Sequence, residues 1–326
     1  MQDLIARFAG LCVLVVGDVS LDEYIFGRAT RLSREAPIPV LEFERREHIL
    51  GGAANPARNL VALGAGAGQF GVVGDDGEGV QLAALLSSAC IDATGVLAVA
   101  GRATALKTRV LSQGALRFPQ QIARIDRLDR RPLLAADEAA LVAAIEAAAP
   151  RAQAVICSDY QLGLMTPTLA DAVRDLCRRH DMLLAVDAQG SSHLYRGADL
   201  FRCNDAEASA ALGRPLQTED DFREGLAELR ESLAARAVIV TRGPDGLSLV
   251  DESGGYAALP AANRSEVYDT TGAGDTFIAV VTLALTAGAG VHEAAGLANA
   301  AAGLVVRRLG NAVVSPEELI EAVSGL

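Results

Sequence analysis

The chain has 326 residues, 51% hydrophobic and 21% charged, the composition of a folded globular protein with a sizeable core. A formal net charge of −12 without any basic tract excludes the basic face that nucleic-acid binding needs, while leaving room for a small anionic substrate held by a few local cations. Aromatics are scarce at 4% and Trp is absent, so Ala, Leu, Val and Gly must fill the core, which suits helices packed on a parallel sheet.

Leu11 to Val16 is the first strongly apolar run. It is too short to cross a membrane, ends in Gly17-Asp18, and reads as a buried first strand rather than a signal peptide. Further strands are expected at 68–73, 153–157, 183–187, 198–202 and 236–240. Helices are expected at 53–63, 78–88, 137–149, 166–180, 218–234, 274–287, 291–306 and 316–323. This alternation predicts an α/β fold of βαβ units around a mainly parallel sheet. Gly64 and Gly288 occupy positions where helices end in glycine, and Ser315-Pro316 with Glu318 marks the start of the last helix. Two regions break the rhythm. Residues 24–50 contain Pro37, Pro39 and an alternating stretch from Ile38 to Glu44. Residues 103–127 alternate through Ala105, Lys107, Arg109 and Leu111, then Ile122, Arg124 and Asp126. Alternation of this kind predicts a small β lid inserted into the α/β body. No segment has the composition of a linker, so residues 1–326 are expected to form a single domain.

Five cysteines (Cys12, Cys90, Cys157, Cys177 and Cys203) form no Cys-x-x-Cys pair, and four histidines (His48, His180, His193 and His292) lack metal-ligand spacing. Neither a disulfide framework nor a zinc site is expected, and a reducing cytoplasm is the simplest setting. The chain carries a single lysine, Lys107, so 28 of its 29 basic residues are arginine. Lys107 is followed by Thr108 but no glycine loop precedes it, which excludes a P-loop. Gly66-Ala-Gly68-Gln-Phe-Gly71 matches a dinucleotide fingerprint in letters only. A helix precedes it and a strand follows, the reverse of what that fingerprint needs, so it reads as a helix-to-strand turn.

The most informative stretch is Val267-Tyr-Asp-Thr-Thr-Gly-Ala-Gly-Asp-Thr-Phe277. Asp269 and Asp275 bracket a turn of small residues, and an apolar helix follows at once. Backbone N–H groups of Gly272, Ala273, Gly274 and Asp275 can converge at the helix's positive end, beside a carboxylate. An anion hole with a base beside it is what phosphoryl transfer to a hydroxyl requires. Alone, Asp275 would be only a helix-start carboxylate; paired with Asp269 across the small residues, it is the first catalytic candidate.

Other motifs are weaker singly. Gly51-Gly52-Ala-Ala-Asn55 permits close backbone approach to a ligand, with Asn55 available to hydroxyls, although a tight turn explains it equally. Asp18 and Asp22 follow the first strand, where α/β sheets bind ligands, and short carboxylates there suit polyol recognition or plain loop solvation. Asn204-Asp-Ala-Glu207 follows a strand and begins a helix. It suits a hydrated Mg²⁺ near phosphates, but its spacing alone favours a capping box. Thr241-Arg-Gly243-Pro-Asp-Gly246, Asn299 to Gly303 and Gly310-Asn311 are candidate walls for a nucleotide. Lys107 and Arg109, two apart on one strand face, are candidate phosphate contacts.

Together these motifs, in this order and spacing, resemble the ribokinase-like carbohydrate kinases of the phosphofructokinase-B group over essentially the whole chain. Within it, Val15-Val-Gly-Asp-Val-Ser-Leu-Asp22, Arg34-Glu-Ala-Pro-Ile-Pro-Val40, Lys107-Thr-Arg-Val-Leu-Ser112, Ser158-Asp-Tyr160 and Asn299-Ala-Ala-Ala-Gly303 are similar to the branch of D-glycero-D-manno-heptose 7-phosphate kinases, the kinase half of bifunctional ADP-heptose synthases. The resemblance implies a three-layer αβα sandwich with a mainly parallel central sheet and a β lid. The His-x-Gly-His signature of the nucleotidyltransferase half is not found. It implies an ATP-dependent, Mg²⁺-requiring sugar kinase with Asp275 as base and the 272–275 backbone as anion hole. Asp18, Asp22, Gly51, Gly52 and Asn55 would hold the sugar, with Lys107 and Arg109 on its phosphate. Asn204 and Glu207 would organise phosphates and Mg²⁺, Glu207 through water. Thr241, Gly243, Gly246, Asn299 and Gly303 would flank adenine and ribose. Asp269 and Ser315 would belong to a monovalent-cation site for K⁺, and two lids would pair in a homodimer. No nucleic-acid or membrane partner is expected. Other acceptors (ribose- or fructose-type) and a catalytically silent nucleotide- or sugar-binding protein are the alternatives. The chain departs from the branch at three places: Leu162 replaces a lysine, Asp187-Ala-Gln189-Gly190 replaces Asp-Pro-Lys-Gly, and Arg202-Cys203-Asn204 replaces Thr-Pro-Asn.

Overall fold

A computed structural model describes residues 1–113, 119–263 and 266–324. The first half runs α1 (Gln2–Ala6), β1 (Cys12–Gly17), β2 (Val19–Leu32), β3 (Pro39–Gly52), α2 (Ala54–Ala62), β4 (Gly66–Gly74), α3 (Gly77–Ser88), β5 (Asp92–Val99), β6 (Leu106–Gln113), β7 (Gln120–Arg127) and α4 (Ala135–Ala148). The second half runs β8 (Ala154–Asp159), α5 (Pro167–His180), β9 (Leu183–Ala188), β10 (Leu200–Asn204), α6 (Asp205–Leu212), α7 (Glu219–Leu233), β11 (Ala237–Thr241), β12 (Leu247–Val250), β13 (Tyr256–Leu259), α8 (Ala273–Thr286), α9 (Val291–Val305) and α10 (Pro316–Ser324).

Nine strands form the central sheet in the order β13-β12-β11-β10-β9-β8-β1-β4-β5. From β5 to β11 every pairing is parallel; β12 pairs antiparallel with β11, and β13 with β12. Parallel strands covered on both faces must be apolar on both, and Val13 to Val16 are buried without interruption. Parity then sorts the side chains. Val13, Val15, Ile156, Ala185 and Ile239 join the core under α1, α2, α3, α8, α9 and α10. Leu14, Val16, Val155, Val186 and Val240 join the core under α4, α5, α6 and α7. The result is the expected three-layer αβα sandwich with a second, smaller sheet.

That second sheet is ordered β3-β2-β6-β7, with β2 and β6 parallel and both outer pairs antiparallel. It is larger than the alternating stretches suggested, because β2 starts at Val19, five residues before the expected boundary at 24. Asp22 therefore sits on a lid strand, not in a loop after β1. Strands β5, β12 and β13 and the short helix α1 were not expected as elements, and α6 only as a helix start at Asn204: each is short, or is interrupted by small and polar residues that blur the period. The Gly66–Gly71 fingerprint lies inside strand β4 rather than in a turn. Gly64 and Gly288 adopt φ +89° and +93° at helix ends, as their positions predict.

Candidate active site

Helix α8 begins where Gly272 turns the chain at φ +79°. A Cβ on Gly272 would lie 2.8 Å from Asn55 Nδ2, so only glycine lets Asn55 reach the base of the helix. Ala273 N–H bonds back to Thr270 O and Thr276 N–H to Gly272 O. The amides of Gly274 and Asp275 belong to the first turn, where a helix has no acceptor of its own to offer. Asp275 is 8% exposed. Asn55 Nδ2 donates to its Oδ2 at 2.7 Å, and the Tyr160 hydroxyl donates to Oδ1 at 2.6 Å. Burial pushes the Asp275 carboxyl up to about 6, against the pull of these two donors, and the nearby Asp187 charge adds to the push. A carboxyl there is ionised at neutral pH yet basic enough to accept a proton.

The lid supplies one wall of the cleft over Asp275. Asp22 is buried and accepts from Arg109 Nη1 at 2.8 Å and Asn311 Nδ2 at 3.3 Å. Asn311 also donates to Leu50 O, tying the segment after α9 to the foot of β3. Gly51 is glycine for a local reason: its Cβ would fall 2.2 Å from Asp22 Oδ1. Lys107 and Arg109 share the cleft-facing side of β6; Lys107 Nζ lies 4.7 Å from the centre of the Tyr160 ring.

The sheet supplies the opposite wall. Asp187 and Arg202 are register partners on β9 and β10. Arg202 Nη1 donates to both Asp187 oxygens at 2.9 and 3.0 Å, and Nη2 donates to Thr241 Oγ1 at 2.6 Å. Asn204 and Glu207 form a reciprocal capping box at the start of α6 and also line the cleft. The capping-box reading of that motif therefore holds, and both side chains also face the cleft. Burial raises the Glu207 carboxyl above its ordinary value. Among the described residues no group of three or more His, Cys, Asp or Glu could cage a metal. Mg²⁺ keeps several of its waters and needs one or two carboxylates beside substrate phosphates, so it requires no dedicated cage. The cleft encloses about 280 Å³.

Several expected residues stand apart from this cleft. Asp18 accepts N–H bonds from Tyr160, Leu162 and Leu164, so it shapes the loop after β8 instead of facing the cleft. Burial pushes its carboxyl up to about 6. Asp269 accepts from Thr271 N–H and Gly310 N–H, pinning the turn before α8 to the segment after α9. Ser315 is committed to capping α10 with Glu318. Asn299 supports the chain at Pro260 and Ala262, and Gly303 O accepts from Asn263 Nδ2. Gly243 and Gly246, at φ +54° and +91°, shape the turn between β11 and β12. Of the three departures, Leu162 is buried at 5% exposure, whereas Gln189 and Arg202 face the cleft. Tyr160 and Asp187 were not expected as site residues, and Asn311, a candidate nucleotide wall, instead meets Asp22 at the foot of the lid. The first two follow or close strands β8 and β9 at their C-terminal ends, a signal that could have found them. The contact of Asn311 with Asp22 depends on how the chain returns from α9, which no local pattern shows.

Residues 13–318 match the model of the pfkB family carbohydrate kinases. The chain is 40% identical over 98% of its length to the bifunctional protein HldE of Geobacter metallireducens, and 38% identical over 99% to that of Paramagnetospirillum magneticum. It spans 64% and 65% of those relatives' lengths. Its fold is similar to phosphofructokinase-2 from Escherichia coli in complex with potassium, with a TM-score of 0.78 at 20% identity over 97% of this chain and 98% of that one. Arabidopsis thaliana ribokinase, complexed with ribose and ATP, gives a TM-score of 0.74 at 20% identity over 96% and 98% of the two chains. The chain belongs to the pfkB family of carbohydrate kinases, phosphotransferases that act on an alcohol group.

Proposed function

We propose that the protein transfers the γ-phosphoryl group of ATP to the anomeric hydroxyl of heptose 7-phosphate. The observation that carries this is Asp275: a buried, ionisable carboxylate in one cleft with the first-turn amides of α8 and with the lid groups Asp22, Lys107 and Arg109. The acceptor hydroxyl gives its proton to Asp275, its oxygen bonds to the γ-phosphorus, and the bond to the ADP oxygen breaks. The amides of Gly274 and Asp275 face the charge on the phosphoryl oxygens. Asn55 and Tyr160 hold the carboxylate so that one lone pair on each oxygen remains for the substrate. Mg²⁺, when bound, neutralises phosphate charge; Glu207 would hold it through water.

The choice of heptose phosphate rests on the resemblance of the lid and strand-end motifs to that branch, and on two lid cations over a polar cavity. A kinase for another phosphorylated sugar is the second reading, favoured by Gln189 and Arg202, which move a cleft cation from the lysine position of the branch pattern to strand β10. Coupled ADP release over a panel of free and phosphorylated sugars tests both. The highest kcat/KM with heptose 7-phosphate is the expected result, and a preference for an unphosphorylated sugar overturns it. The proposal extends to K⁺ near Asp269 and Ser315, checked by comparing rates in potassium and tetramethylammonium salts. It also extends to a homodimer through the lid, where Leu32, Phe43 and Ile125 are exposed at 71, 66 and 63%. Sedimentation equilibrium checks that state.

A further inference from the structure

Parity along β10 aims Arg202 at the α8 layer: Leu200 on the same side packs under α8, while Phe201 and Cys203 pack on the other face. The guanidinium lies directly on the first turn of that helix. A Cβ on Gly274 would meet Arg202 Nη1 at 2.8 Å and Nη2 at 3.2 Å. Its side chain is 12% exposed, and its Nε is buried with no hydrogen-bond partner among the described residues. Asp187 and Thr241 brace it from behind.

A buried ion pair is a costly way to fill space, and an apolar pair on adjacent strands would serve the fold as well or better. The cost is understandable if the guanidinium has work in the cleft. The cleft is lined by five carboxylates, Asp22, Asp159, Asp187, Glu207 and Asp275, and by Lys107, Arg109 and Arg202. Lys107 and Arg109 approach from the lid, and Arg109 is bound to Asp22. Of these three cations Arg202 is the one in contact with Gly274, where the helix amides and Asp275 meet. A planar fork fixed there matches the spread of charge on phosphoryl oxygens.

We propose that Arg202 holds the γ-phosphoryl group of the nucleotide and stabilises its charge during transfer, alongside the first-turn amides of α8. This rests on the kinase reading above and adds a residue that the family motifs do not contain. Gln189, in the same cleft, is neutral, and Arg202 is the cation that the sheet wall brings there.

The test compares the wild-type protein with Arg202→Met and Arg202→Lys. Affinities are measured for adenosine, AMP, ADP and a non-hydrolysable ATP analogue, alongside turnover and thermal stability. Arg202→Met is expected to lower turnover by about 10³-fold at saturating nucleotide, in the range of arginine residues that act on a transferring phosphoryl group. Its affinity loss is expected to grow along the series, within about two-fold for adenosine and about ten-fold for the ATP analogue. Arg202→Lys keeps a charge against Asp187 but loses the fork, so it is expected to keep adenosine affinity and lose turnover by at least about ten-fold. If Arg202 only neutralises Asp187, the affinity loss is equal from adenosine to the ATP analogue, and that result overturns the proposal. So does turnover within about three-fold of wild type in either variant. Should Arg202→Met not fold, Arg202→Lys decides alone. If none of the sugars in the panel makes the wild-type protein release ADP, the kinase reading fails, while the affinity series still tells whether Arg202 grips the terminal phosphate.

Discussion

The two walls of the cleft are built on different principles. The body wall stands on strands buried on both faces, and its polar groups are tied to one another: Asp275 to Asn55 and Tyr160, Arg202 to Asp187 and Thr241. The lid wall stands on a four-stranded sheet whose own apolar cluster is Tyr24, Phe26 and Leu111, with Ile49 against it. Every residue of β7 is exposed. Beyond that cluster, the lid is buried at its foot, where Asp22 meets Arg109 and Asn311. A wall fixed by packing suits chemistry, which needs a base held in place. A thinly packed wall suits the choice of acceptor, because its side chains can change at small cost to the fold.

The sharpest way to break this contrast is Asp275→Asn. Turnover is expected to fall by about 10²-fold to 10⁴-fold with substrate affinity nearly unchanged, and unchanged turnover would remove Asp275 from the mechanism. Next is Phe201→Ala, in the body sheet beneath the site. Phe201 is 2% exposed, and its loss should cost about 3 kcal/mol or more in urea unfolding. On the lid, Lys107→Ala and Arg109→Ala are expected to raise KM for a phosphorylated acceptor by about ten-fold each while leaving that for ATP within about two-fold. Equal effects on both substrates would mean that the lid cations do not select the acceptor.

The pH profile divides the walls more finely. Asp275 must be ionised to accept a proton, so kcat/KM is expected to climb with pH through about 6 and level off above it. Asp18 titrates near the same value, so the limb alone does not assign the group. Tyr160 separates them: its backbone N–H serves Asp18 and its hydroxyl serves Asp275. Tyr160→Phe removes only the second bond, which favours the ionised form, so the limb should move to higher pH. A limb that stays in place would assign the titration elsewhere. The smallest effect is expected at the outer lid, where Ile125→Ala should change stability by less than about 0.5 kcal/mol. A larger loss in a concentration-dependent unfolding experiment would show that this surface is covered by a second copy.

Much of the body was legible in the chain. Six apolar runs gave six strands of the central sheet, and eight helical patterns gave eight of its helices, because period and caps are local properties. The short antiparallel edge, β12 and β13, escaped because four-residue strands leave too little pattern to read. Glycine was legible as a requirement at 51, 52, 272 and 274, but its reason was not. Gly51 makes way for Asp22, Gly272 for Asn55 and Gly274 for Arg202, and each partner is remote in sequence. Asp18 shows the converse. Its place after the first strand suggested a ligand, whereas three backbone amides of the 160–164 loop occupy it.

What the sequence determined by itself was the α/β body, the inserted lid, and a carboxylate in the first turn of a helix that follows a glycine turn. Those follow from hydrophobic period and from the chemistry of neighbouring residues. Only the tertiary structure decided which groups share the cleft. Strand parity turned Asp187 and Arg202 toward α8, the return after α9 brought Asn311 to Asp22, and the loop after β8 laid Tyr160 on Asp275. Each depends on a register between segments dozens of residues or more apart, which packing fixes and local pattern does not encode.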